Sequence, residues 1–264
     1  MCLIFSPLIA PVLGGFLTEH FNWRASYLFL ALFSIAVTIV MMTKLSETLP
    51  KEKRRHEKVI HSYHHVLSNQ RFQGYVICLV ATFAGLAIFE AAAGVLLGGV
   101  LQLPATTVSL LFVLPIPGYL VGAGLSSYLT TRWNEQKAMY LGIVFIALGS
   151  AVILIPGLID LTSAFTLVGG ATIYFLGAGI LFPAATTGAL SPFPNHAGTG
   201  GAVLGGLQNL GAGVATLIAS VIPTPNQAPL GALMLFMSIV AMLGLLRVYR
   251  HKDTTRDISA ITSP

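Results

Sequence analysis

Long apolar runs, broken by short polar or turn-forming stretches, dominate this chain. They fall at about Met1 to Leu17, Trp23 to Met42, Gly74 to Leu97, Val108 to Leu129, Ala138 to Ile155, Phe165 to Leu190, Gly198 to Ile222 and Leu230 to Val248. An α-helix needs about 20 apolar residues to cross the hydrocarbon core of a bilayer, and these runs match that length. The ten-residue alternation of a membrane β-barrel is missing, so the backbone must be satisfied within helices. The pattern predicts an all-α, polytopic membrane protein with about eight transmembrane helices.

Composition agrees. Of the 264 residues, 55% are hydrophobic and 9% charged, with a mean hydropathy of +0.82. A soluble domain carries about 25% charge, so the charges here are too few to cover a water-facing surface. The lipid bilayer is the expected principal partner.

A net charge of +5 would fit a nucleic-acid binder, but the basic residues flank the apolar runs instead. Lys44, Lys51, Lys53, Arg54, Arg55, Lys58 and Arg71 lie between the second and third runs. Arg132 and Lys137 follow the fourth, and Arg247, Arg250, Lys252 and Arg256 follow the last. With eight spans, thirteen of the fourteen basic residues face one compartment and only Arg24 faces the other. By the positive-inside rule that compartment is the cytoplasm, with both termini in it. No nucleic-acid partner is expected.

The basic stretch divides the chain. Residues 1–42 form two helices, 43–73 a cytoplasmic loop, 74–249 a six-helix segment and 250–264 a cytoplasmic tail. Within the loop, VIHSYHHVLSNQRF from Val59 to Phe72 has the mixed character of a short helix along the headgroups or of a solvated linker.

Chemistry-bearing residues are few. Cys2 and Cys78 both sit in apolar runs without a CxxC pair. His61 and His65 have a spacing that can ligate zinc, but no further ligand pattern completes a site. Hydrolase, Walker and Rossmann signatures are missing. Neither an enzyme nor a metal or other cofactor is expected.

Glu90 stands out as the only carboxylate inside a run. An ionised acid near a bilayer centre costs on the order of 2.5 to 3.5 kcal/mol on insertion scales, and desolvation disfavours the charged form of any carboxyl. Phe83, Leu86, Ala87, Ala93, Gly94 and Leu97 share its helical face, a small-residue surface with one ring. The alternative is an acid that reaches the outer headgroups by snorkelling or pairs structurally. Gln208 and Asn209 are a second intramembrane polar pair. Gln208 shares a face with Gly201, Gly205, Gly211 and Ala212, which suit close helix packing, so its amide either bonds a neighbouring helix or lines a cavity. Phe175, Phe182 and Tyr174 offer rings for cation-π attraction. Tyr119 follows Pro115 and Pro117, which free carbonyls and bend their helix, and Pro183 is expected to do likewise.

The first two runs read SPLIAPVLGGFLTEHFNWRASYLFL. This resembles the fifth and sixth helices of the major facilitator superfamily drug:proton antiporters, whose fifth helix carries G-x-x-x-G-P-x-x-G-G. Pro11, Gly14 and Gly15 match that helix-packing motif, while Ser6 and Ala10 replace two glycines. FEAAAGVLLGGVL, SLLFVLPIPG, GAGILFPAATTGALSPFP and AGTGGAVLGGLQNLGAG are similar to multidrug-efflux members of the same superfamily.

The resemblance implies helices five to twelve of a twelve-helix fold, with four amino-terminal helices missing through truncation, a misplaced start or a partial sequence. It implies proton-coupled efflux of hydrophobic or cationic drugs across the bacterial inner membrane. Protons and substrate would meet at Glu90, and Phe83, Tyr119, Tyr174, Phe175, Phe182, Gln208 and Asn209 are the cavity candidates. The rival expectation is a non-transporting remnant or assembly partner.

Overall fold

A computed structural model describes residues 13–14, 16–17, 20–45 and 59–261. Pro11, Gly15, most of the first apolar run and the basic residues from Lys51 to Lys58 lie outside the described residues. The chain divides into two compact units, Met1–Lys58 and Val59–Pro264. All regular elements among the described residues are helical.

The first unit contributes α1, Trp23–Lys44. Asn22 caps it, its side chain accepting from the backbone N–H groups of Arg24 and Ala25 at 2.9 and 3.3 Å. Those donors have no partner inside the helix. Ser34, Thr38 and Thr43 each donate to a carbonyl four residues back, at 2.8 Å. Their hydroxyls are thereby satisfied on a helix suited to lipid.

The second unit begins with a short helix, α2 (Val59–Leu67). The expected segment to Phe72 is interrupted, because Asn69 caps the next helix through Phe72 N–H. Helix α3 therefore starts at Gln70 rather than near Gly74, runs to Gly94 and continues as a π-helical turn, Val95–Val100. Then come α4 (Ala105–Val113), α5 (Pro115–Arg132), α6 (Glu135–Leu158), α7 (Ala164–Leu190), α8 (Ala197–Val221) and α9 (Ala228–Ile261).

Leu114 between α4 and α5 keeps helical dihedrals, φ −60° and ψ −34°. The break arises because Pro115 and Pro117 bring no N–H to the ladder. Together α4 and α5 make one apolar span, Thr107–Arg132. Seven helices among the described residues are long and apolar enough to cross a membrane. The eighth expected span, Met1 to Leu17, falls mostly outside the described residues.

Helices α3 and α7 form the centre of the second unit. Helix α7 packs on α6 and α5, and α3 on α9, α8 and α7. Facing glycines make the approach close. A Cβ on Gly177 would sit 2.5 Å from Gly142 O, one on Gly149 2.5 Å from Gly170 O, and one on Gly118 2.6 Å from Thr172 O. Gly122 and Gly179 likewise press against the carbonyls of Leu176 and Tyr119. Lipid tails are as apolar as Leu, so such van der Waals contact, rather than hydrophobic burial, drives helix association.

Polar ties fasten both ends of the unit. At the end rich in Lys and Arg, the Tyr75 hydroxyl donates to Glu135 Oε1 and Arg71 reaches the same hydroxyl at 3.3 Å. At the far end Gln227 is fully buried. Its amide donates to Ile153 O at 2.8 Å and to Thr166 Oγ1 at 3.0 Å, and its oxygen accepts from Ser163 N–H at 3.2 Å.

Candidate functional site

Three rings from three helices converge on one open face of the second unit. Phe83 of α3 meets Phe182 of α7 edge-on with centroids 6.2 Å apart, and Tyr119 of α5 meets the same Phe182 at 6.4 Å. Each ring is half-buried. The proline break at Leu114 sets the start of α5, and the Gly118–Thr172, Gly122–Leu176 and Gly179–Tyr119 contacts bring α5 against α7. Pro183 lies inside α7, so the carbonyl of Gly179, four residues back, has no intrahelical donor from that residue.

Glu90 lies seven residues beyond Phe83 on α3. At 1.5 Å per residue that is about 10 Å along the same helical face. The carboxyl is exposed and has no hydrogen-bond or ion-pair partner among the described residues. Toward the basic end, α5 and α7 border an open cavity of about 340 Å³ whose lining includes Ser126, Ser127, Thr130, Thr131 and Thr187. Ser126 donates to Ile180 O at 2.7 Å, Thr130 to Ser126 O at 2.7 Å and Thr131 to Ser127 O at 2.6 Å. A hydroxyl that has given its proton to the backbone still offers lone pairs, so these oxygens are left as acceptors suited to a cation.

Other candidates lie elsewhere. Tyr174 is fully buried. Its hydroxyl donates to Thr82 O at 3.2 Å, and Gly85 leaves room for it. Phe175 packs edge-on against Phe89 at 6.1 Å inside the same core. Both therefore belong to the α3–α7 interior and not to the open face.

Asn209 is exposed and donates to Gly205 O at 2.8 Å within α8, while Gln208 is half-exposed. A Cβ on Gly14, Gly201 or Gly205 would meet nothing within 4 Å among the described residues. The close approach of α8 to α3 falls on Gly211, which presses on Val80. Of the glycines expected on the Gln208 face, Gly211 makes the close approach, while Gly201 and Gly205 do not among the described residues.

Sequence reading passed over the hydroxyl cavity. Its residues stand in SSYLTT of α5 and PAATTG of α7, and a concentration of hydroxyls in two apolar runs was the available signal.

The Major Facilitator Superfamily profile matches residues 1–216. The chain is 40% identical over 243 residues to Multidrug resistance protein D of Escherichia coli (strain K12), covering 92% of this chain and 61% of that protein. It is 23% identical over 225 residues to a Bicyclomycin resistance protein homolog of Haemophilus influenzae, covering 83% and 56%. A solved structure of the multidrug transporter EmrD from Escherichia coli is 39% identical, covers 91% of this chain and 63% of that one, and aligns with a TM-score of 0.33. The chain thus spans about three fifths of the length of the first of these relatives. With seven membrane-length helices and a profile match over most of its length, this multi-pass membrane chain belongs to the Major Facilitator Superfamily.

Proposed function

We propose that the second unit is the carboxyl-side half of a proton-coupled multidrug exporter that moves hydrophobic or cationic compounds out across the bacterial inner membrane, with both termini cytoplasmic. The observation that carries this reading is the open face on which Phe83, Tyr119 and Phe182 meet, with an unpaired Glu90 on the same stripe. The 40% identity to a protein named Multidrug resistance protein D supports it.

Each part has a chemical task. The rings hold flat hydrophobic or cationic molecules by contact and by cation-π attraction of about 0.5 to 2 kcal/mol. The hydroxyl oxygens of the α5–α7 cavity complement positive charge. A carboxyl without a resident cation partner binds either a proton or a cationic substrate, and this competition couples the two fluxes. Rocking of this half against a partner half around a midplane site is the general mode of such folds.

The test is Glu90→Gln, in vesicles that contain the full transporter and a pH-sensitive dye. Drug-dependent proton movement should fall to background, while membrane insertion and drug binding measured by fluorescence persist. Undiminished proton-linked efflux would overturn the role of Glu90.

A further inference from the structure

A second concavity of the same unit lies away from the Glu90 face. It is a groove of about 560 Å³ floored by α3 and walled by α8 and α9. Ile77, Val80 and Ala84 form the floor, Leu210 and Val214 one wall, and Phe236 and Val240 the other, and no polar side chain lines it. On α8 it reaches from Leu207 to Ile218, about 16 Å at 1.5 Å per residue. That is roughly half of the ~30 Å hydrocarbon core, the depth of one leaflet. Its α3 residues fall in the basic-end half of the span Gln70–Val100.

The groove has a positive cap. On α3, Gln73, Ile77, Val80 and Ala84 recur at helical spacing, and on α9 so do Phe236, Val240 and Arg247. The two stripes close on each other where Arg247 Nη2 donates to Gln73 Oε1 at 2.6 Å. Gln73 is neutral, and no carboxylate among the described residues pairs with Arg247, so the guanidinium keeps its full charge. Arg250, also exposed, follows one turn on. Basic positions between transmembrane helices on the cytoplasmic side attract anionic headgroups, and guanidinium matches phosphate in bidentate geometry.

We propose that this groove is a binding site for one anionic phospholipid of the cytoplasmic leaflet, with an acyl chain along α3 and the phosphate on Arg247 and Arg250. The apolar slot alone would accept any lipid. Arg247, which no carboxylate pairs among the residues whose side chains are described, selects the charged headgroup, and the exposed Arg250 adds to it.

Native mass spectrometry of the detergent-purified chain tests this, with phosphatidylglycerol and phosphatidylethanolamine of identical acyl chains as probes. The wild type should retain phosphatidylglycerol preferentially, and Arg247→Gln should lower that retention about fivefold with no change for phosphatidylethanolamine. Arg247→Lys should restore most of it, and Val214→Trp, which fills the groove from its rim, should lower retention of both lipids. Size exclusion and thermal melts matched to wild type show that the variants are folded. Equal wild-type retention of the two headgroups, or unchanged phosphatidylglycerol binding in Arg247→Gln, overturns the proposal. So does a photo-crosslinker at position 214 that captures polypeptide instead of lipid in intact membranes.

Discussion

Helices α7 and α8 are both rich in glycine, yet they use it differently. Four of the five glycines of α7 stand where an added Cβ would strike a neighbour, and Gly170, Gly177 and Gly179 face backbone carbonyls across the α5 and α6 interfaces. In α8 only Gly200 and Gly211, of seven, meet anything, and in both cases it is a side-chain atom, of Leu190 or Val80, rather than backbone. One helix is welded into a seam by main-chain contact. The other rests on α3 through ordinary side chains and leaves most of its glycines open within the described residues. Glycine content in an apolar run therefore reports that close approach is permitted, and only the opposing atom shows that it is used.

The sharpest way to break this contrast is Gly122→Ala. Its new methyl would run into Leu176 O, backbone that cannot step aside, and overpacking of this kind costs about 3 kcal/mol. The purified variant should melt well below wild type or fail to yield a monodisperse species. A normal melt would show that α5 and α7 can part cheaply.

Gln227→Leu comes next in size. It removes the bonds to Ile153 O, Thr166 and Ser163 and leaves buried groups without partners, a loss of about 2 kcal/mol. The same melt should show it, and protection of Ser163 N–H from hydrogen exchange should fall. No change in either would mean that the far end of α7 is held by the glycine seam alone.

The smallest effect belongs to α8. Gly201→Ala and Gly205→Ala add helix propensity at positions with open space and should raise stability by about 0.5 to 1 kcal/mol. If either destabilises as Gly122→Ala does, α8 carries a seam as tight as that of α7 and the comparison fails.

Much of the architecture was legible from residues. The spans follow from run length, the helix break at Leu114 from Pro115 and Pro117, and the short α2 from the mixed apolar and polar stretch after Val59. Termini shifted outward, as at Gln70 and Glu135, because polar first turns are capped by Asn69 and Asn134 and still belong to the helix.

The site was only partly legible. Phe182 and Tyr174 sit in one run and look alike in a sequence, yet the room at Gly85 takes Tyr174 into the interior while Phe182 points to the open face. The Tyr75–Glu135 bond joins residues sixty positions apart, and periodicity carries no information about such pairs. Gln227 stands in a chargeless connection, where a loop amide gives no sign that it will be wholly enclosed.

That enclosed amide has a mechanical consequence. By clamping the start of α9 to the α6–α7 hairpin, it makes these three elements one girder at that end, so a load on any of them is shared by all. Helix α8 leans chiefly on α3 and is outside this clamp. Strain at that end therefore reaches α8 chiefly through α3 rather than through the clamp.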